Sequence, residues 1–284
     1  MSVQTMRVKK RRRIREWCLG LLGLFFGCLL LFPVFYGILG AFKAPSEFIT
    51  YPPTVLPQSF SYLKNFETVF TQVPMLRYFL NSFIVAVLGT AVRLIIAVLA
   101  AYAFVFFRFK GRKTLFFLLL ATMMLPADTL ILTNYQTVSH LGLQDTYLGM
   151  CIISFVGASQ MFMLRQHFLS APKAVREAAL LDGCGDLRFI AFILVPMSGP
   201  LLTTLFLQSF VTLWNSYLWP LLITNTNEMR TVQVGITMLT TIEGTNYETV
   251  LAGSTVAMLP MVLFFILLRK RITGAMSTGE AVVG

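Results

Sequence analysis

Residues 177–196 read Glu177-Ala178-Ala179-Leu180-Leu181-Asp182-Gly183-Cys184-Gly185-Asp186-Leu187-Arg188-Phe189-Ile190-Ala191-Phe192-Ile193-Leu194-Val195-Pro196. This polar, glycine-punctuated stretch lies between long apolar runs. Pro172 suits the first turn of a helix, where a missing amide donor is not needed. Of the two residues before it, Ser170 is the better cap candidate and Ala171 the poorer. Lys173 to Leu181 are mostly good helix formers. Gly183 supplies the permissive backbone that ends a helix, with Asp182 just before it. The pattern predicts a short helix, a break at Gly183, and a second helix entering the next apolar run near Pro196. Ala174, Ala178 and Leu181 share one face of the first helix. Their small side chains let another surface approach closely, and Glu177 offers a charge to fix its register.

The rest of the 284-residue chain is built for a bilayer. It is 56% hydrophobic and 12% charged, with a mean hydropathy of +0.74; a soluble domain carries about twice that charge. Six runs approach the roughly 20 residues that span a hydrocarbon core: about 17–42, 79–106, 114–133, 146–164, 197–223 and 250–268. The first exceeds a signal-peptide core and is expected to stay as an anchor. Four cysteines show no paired metal-ligand spacing, and His140 and His167 stand near run ends without a metal constellation, so no metal site is expected.

Charge sets the orientation. Seven Lys/Arg precede the first run, four lie between runs two and three, four between runs four and five, and three follow run six. The opposite side holds Lys43, Lys64, Arg77 and Arg230. Eighteen against four places both termini in the cytoplasm. The net charge of +11 therefore reads as topology and contact with anionic lipid, not as a nucleic-acid surface. The chain divides into a basic cytoplasmic tail (1–16), a first span with a proline-rich external loop (17–77), a five-helix core carrying the cytoplasmic segment 165–196 (78–271), and a second cytoplasmic tail (272–284). No Gly-x-x-x-x-Gly-Lys-Ser/Thr phosphate loop is present.

Several motifs stand together. They are Asn81-Ser82, Met124-Leu125-Pro126, Phe168-Leu169-Ser170-Ala171-Pro172, the Glu177-to-Pro196 segment, Trp214-Asn215-Ser216-Tyr217-Leu218-Trp219-Pro220, and Leu259-Pro260. In this set the chain resembles the type I ABC importer permeases of the carbohydrate class, including those of maltose and glycerol-3-phosphate importers. Val195 stands where leucine is usual, and the C-terminal Gly279–Gly284 lacks a lysine often found there. The resemblance implies an all-α integral membrane protein of six transmembrane helices in a bacterial cell membrane. It makes Glu177, Ala178, Ala179, Asp182, Gly183, Ile193 and Pro196 the contact with an ATPase. It further implies a second homologous permease subunit, an ATPase dimer that uses ATP and Mg, and an extracytoplasmic solute-binding protein. This chain itself would bind no cofactor and perform no catalysis, and solute would cross by alternating access.

Polar residues inside the runs are candidates for a translocation pathway. A charge in a bilayer needs protein, water or a partner around it. Arg93 in run two and Asp128 in run three fall within one to two helical turns of the same depth, and a pair is expected. That pair either holds two helices in register or leaves Arg93 to steer an anionic or hydroxyl-rich solute. Gln208, Ser209, Thr212, Trp214, Asn215 and Tyr217 make run five polar and aromatic. They suit a sugar pathway, or equally an interfacial aromatic belt and helix-packing amides. The competing reading is an ion-coupled secondary transporter using Arg93 and Asp128. An intramembrane enzyme is disfavoured because no metal cluster or Ser/His constellation stands out in the runs.

Overall fold

The computed structural model describes the backbone of residues 3–52, 54–240 and 246–280, and side chains over 16–266 apart from 53, 127–128 and 241–245. Among the described residues the fold is all helical. It divides into two compact units, Met1–Val73 with Met238–Val256, and Pro74–Thr237 with Ala257–Gly284.

In the first unit, α1 (Val3–Gly40) runs from the basic tail through the first apolar run. The loop after it forms two short helices, α2 (Pro45–Ile49) and α3 (Lys64–Gln72). Buried polar groups organise this loop. The Lys43 ammonium donates to the Thr54 carbonyl. The Glu47 carboxylate accepts from the backbone amides of Ala44, at 3.0 Å, and Gln58, at 2.9 Å. Asn65 Nδ2 donates to the carbonyls of Ala41 and Lys43.

The second unit is built around α4 (Met75–Phe106), which packs against two helices described below, α8 and α12. Its buried face is rich in small residues, among them Ser82, Ala86, Gly89, Ala97 and Ala101, which lets helices approach closely without aqueous driving force. At Gly89 a Cβ would stand 2.7 Å from the Leu213 side chain and 3.2 Å from Ser154 Oγ. The polar pair opening this helix is fully used. Asn81 Nδ2 donates to the carbonyls of Glu228 and Arg230, at 2.7 and 2.8 Å, and its Oδ1 accepts from the Tyr147 hydroxyl. Ser82 Oγ accepts from the Val232 amide at 2.8 Å.

The third apolar run is not one continuous helix. After α5 (Arg112–Ala121) the chain tightens into a 3₁₀ turn, Thr122–Met124, and Leu125 is extended. A second 3₁₀ turn, Ala127–Leu130, leads into α6 (Ile131–His140). Pro126 explains the interruption, because the residue before a proline is pushed out of the helical region. Runs four and five are broken too. The fourth consists of α7 (Tyr147–Cys151) with a 3₁₀ extension to Ser154, then α8 (Ala158–Ser170), bent by 53°.

The chain continues through α9 (Lys173–Leu181), α10 (Asp186–Phe189), a π-turn at Ile190–Leu194, and α11 (Val195–Met197). An 84° bend separates the stretch Asp186–Met197 from α12 (Gly199–Trp214). After a break at Asn215 come α13 (Leu218–Ile223) and α14 (Val232–Thr237). The last helix is α15 (Tyr247–Glu280). Among the described residues three helices are long and apolar enough to cross a bilayer, and counting each bent pair as one crossing gives five. The expected sixth is the Pro126-interrupted run.

Asp145 ties two loops of this unit together. It holds φ at +53°, and its carboxylate accepts from the amides of Asn225, at 2.7 Å, and Thr226, at 3.0 Å. Burial alone would raise its pKa. The hydrogen bonds from Thr226 and Asn225 outweigh that and hold it below the usual carboxylate value.

Candidate functional site: the Glu-Ala-Ala segment

The segment begins where α8 stops. Ser170 does not cap the next helix; its hydroxyl donates back to the His167 carbonyl at 2.7 Å, and Pro172 occupies the cap position of α9. The reason is local, since a serine at a helix end finds the carbonyl three residues back within easy reach.

The far end of α9 closes through two backbone bonds. The Gly183 amide donates to Leu180 at 3.0 Å and the Cys184 amide to Ala179 at 2.9 Å. Gly183 stands at φ +69°. This is the Schellman pattern, which requires a left-handed residue just past the helix.

The helix presents two unlike faces. Ala179 is buried, and Val175 and Arg176 are half-buried against the core around α4. Ala174, Glu177, Ala178, Leu180 and Leu181 are exposed, Leu181 at 89%. Of the Glu-Ala-Ala triplet, the first two residues therefore face outward and the third packs inward. Asp182 is exposed, Ile193 packs against the same core, and Pro196 is exposed just past the π-turn. Proline cannot donate to the carbonyl four residues back and crowds it, and a π-turn widens the helix at that point. Leu187, at 75% exposure, adds apolar surface to the same segment.

What holds the segment was not anticipated from sequence. Asp186, opening α10, takes an ion pair from Arg176 of α9 and a 2.5 Å hydrogen bond from the Tyr102 hydroxyl of α4. The Arg176 guanidinium lies 4.6 Å from the centroid of the Phe189 ring, with Tyr102 and Phe106 further out. Three helices meet on one carboxylate. The only signal in the sequence is opposite charges, Arg176 and Asp186, flanking a glycine break. The arrangement fixes α9 to α10 across Gly183 and fixes both to the end of α4.

Comparison with known proteins identifies the architecture. Residues 93–277 match the family model of the binding-protein-dependent transport system inner membrane component. The chain belongs to that family. Its sn-glycerol-3-phosphate transport system permease relative UgpE, from Yersinia pestis, is 32% identical over 249 residues, 85% of this chain and 89% of the relative. The arabinooligosaccharides transport system permease protein AraQ, from Halalkalibacterium halodurans, is 30% identical over 274 residues, 95% of this chain and 98% of that one. The same fold appears in a crystal structure of a bacterial ABC transporter involved in the import of the acidic polysaccharide alginate. That match has a TM-score of 0.79 and 23% identity, covering 91% of this chain and 96% of the other. This permease is thus an inner-membrane transport component, not an enzyme, and the Glu-Ala-Ala pattern is typical of its family.

The pathway candidates of the permease sit in unlike surroundings. Arg93 donates from Nε to the Ser154 carbonyl at 2.5 Å. It thereby satisfies a backbone group freed where α7 gives way to α8, as broken helices in a membrane require. Asp128, its expected partner, has a side chain outside the described residues. Trp214 is 2% exposed, its ring 6.0 Å from Phe210 and 6.2 Å from Phe79, so it serves as packing here. Gln208 and Tyr217 are exposed, and so is Asn215, whose Oδ1 accepts from Gln233. Beside them Gln160 Nε2 donates to Ser209 Oγ at 3.2 Å, a buried amide contact that links α8 to α12.

Proposed function

We propose that this chain is one of two homologous permease subunits in an importer of a carbohydrate or a glycerol-3-phosphate-like solute. The chain crosses the membrane six times with both termini in the cytoplasm, in keeping with the eighteen-to-four distribution of basic residues. An ATPase dimer binds ATP and Mg beneath the membrane, and an extracytoplasmic binding protein delivers solute. The exposed face of α9, Ala174, Ala178 and Leu181 with Glu177, seats on the ATPase, while Asp182 and Gly183 shape its end and Ile193 and Pro196 carry the chain back to the membrane. Closure of the ATPases drives alternating access through α4, α8 and α12. Arg93, Asp128, Gln208, Trp214, Asn215 and Tyr217 border or brace the route. The solute class rests on the permeases this chain resembles, whose names specify sn-glycerol-3-phosphate and arabinooligosaccharides.

The observation that carries this reading is a helix with an unpartnered apolar and acidic face, anchored on its other side to α4 by Arg176, Asp186 and Tyr102. Co-purification from the native membrane tests it. Wild type should bring down an ATPase and a second permease, and Glu177→Lys should lose the ATPase while keeping the second permease. A wild-type homo-oligomer free of ATPase, or solute uptake that persists without the ATPase, overturns the proposal.

A further inference from the structure

The hairpin between α4 and α5 carries chemistry that transport does not account for. Its residues alternate aromatic and basic side chains, Phe107-Arg108-Phe109-Lys110-Gly111-Arg112-Lys113. Arg112 is committed to the turn: its Nη1 donates to the Phe107 carbonyl at 2.9 Å. Gly111, at φ +81°, then starts α5 without any side-chain cap. Arg108, Lys110 and Lys113 are exposed and, among the described residues, have no carboxylate partner. They edge an open groove of about 900 Å³ whose lining contains no acidic residue.

The groove lies where apolar helix ends and water begins. Phe107 and Phe109 are half-exposed beside it, as aromatic residues are at a membrane boundary. Just beyond, α5 exposes Leu115, Phe117 and Leu118, with Phe117 at 66%. We infer that this groove is a site for the headgroup of an anionic phospholipid, held by Arg108, Lys110 and Lys113, with its acyl chains against the outer flank of α5. Charge complementarity and the adjoining apolar flank both favour a lipid. The headgroup of a bilayer lipid is held beside that flank by its own acyl chains, whereas a soluble phosphate has no such tether. The uncapped amides of the first turn of α5 add donors for the same phosphate.

The test uses the full-length permease reconstituted into bilayer discs of equal parts phosphatidylcholine and phosphatidylglycerol, with lipid retained after detergent release counted by native mass spectrometry. Wild type should keep phosphatidylglycerol over phosphatidylcholine. The triple variant Arg108→Gln, Lys110→Gln, Lys113→Gln should lose that preference by roughly a hundredfold, at about fivefold per basic side chain near an anionic surface. Lys113→Gln alone, outside the turn-closing bonds, should lose about fivefold and guards against a triple variant that fails to fold. Equal retention by wild type and variants overturns the inference. So does loss of the preference on Arg11→Gln, Arg12→Gln, Arg13→Gln in the tail with the hairpin intact. Displacement of the lipid by free inorganic phosphate, or protection of the hairpin only when an ATPase is bound, would assign the groove to those ligands instead.

Discussion

Gly183 and Gly235 are both glycines for steric reasons, but different ones. A Cβ at Gly183 would meet nothing within 4 Å, so only its φ of +69° resists substitution. Gly183→Ala should cost about 1 kcal/mol of stability from left-handed backbone strain alone, read as a small drop in the thermal midpoint of the purified protein. Gly183→Pro should do more, because proline fixes φ near −65° and removes the amide that bonds Leu180. At Gly235 the backbone is ordinary, but a Cβ would lie 2.2 Å from the Tyr78 ring. Gly235→Ala should therefore cost about 1–3 kcal/mol or more through overpacking. Asp145 makes a prediction about pH. Its folded pKa is depressed, so its contribution is fully present above the unfolded value of about 3.9 and is lost as pH falls through the lower folded value. Protease resistance of the loops around 141–146 and 224–226 should be flat from neutral pH to about 5 and fail only in stronger acid. Asp145→Asn should lower resistance at neutral pH and flatten the acid step.

Between α9, α10 and α4, the decisive contacts belong to pairs of elements rather than to single residues. Because Arg176, Tyr102 and Asp186 share one carboxylate, their substitutions should not add. Arg176→Ala and Asp186→Ala should each loosen residues 172–188 in hydrogen exchange. The double variant should be scarcely worse than either, with a coupling of about 1 kcal/mol once solvent screening of the half-exposed carboxylate is allowed for. Strict additivity would show that the contacts act independently. The helix and its stop were legible because proline and glycine act locally, through a missing donor and a permitted φ. Ser170, the better cap candidate by sequence, does not cap because its hydroxyl has two local choices, and the one taken, the His167 carbonyl, depends on how α8 ends. The third run shows the same division between sequence pattern and backbone. Its hydropathy is continuous across Pro126, but the backbone is not.

For the whole molecule, orientation and coupling are the measurable consequences. In a cysteine-free background, Tyr51→Cys, on the loop after α1, should react with a membrane-impermeant thiol reagent in intact cells with an open outer envelope. Leu181→Cys, on α9, should react only after lysis and release of the ATPase. Labelling of both from outside would break the assignment of both termini to the cytoplasm. The pathway was the least legible part of this scale. Trp214 offers the same indole to a sugar or to a helix neighbour, and only the structure shows its ring packed between Phe79 and Phe210. Arg93 likewise found a carbonyl partner at a helix break that hydropathy alone does not reveal.

By itself, the sequence determined the membrane class, the basic asymmetry from which an orientation is proposed, and the short helix that ends at Gly183. Each follows from transfer free energy or from backbone sterics acting over a few residues, so neighbours in the chain suffice to specify it. Only the tertiary structure decided that Ala179 turns inward while Glu177 and Ala178 turn out, and by how much runs four and five bend. It alone brought Arg176, Asp186 and Tyr102 together. The physical reason is that a charged or aromatic side chain has several equivalent partners in an unfolded chain, and long-range packing selects among them.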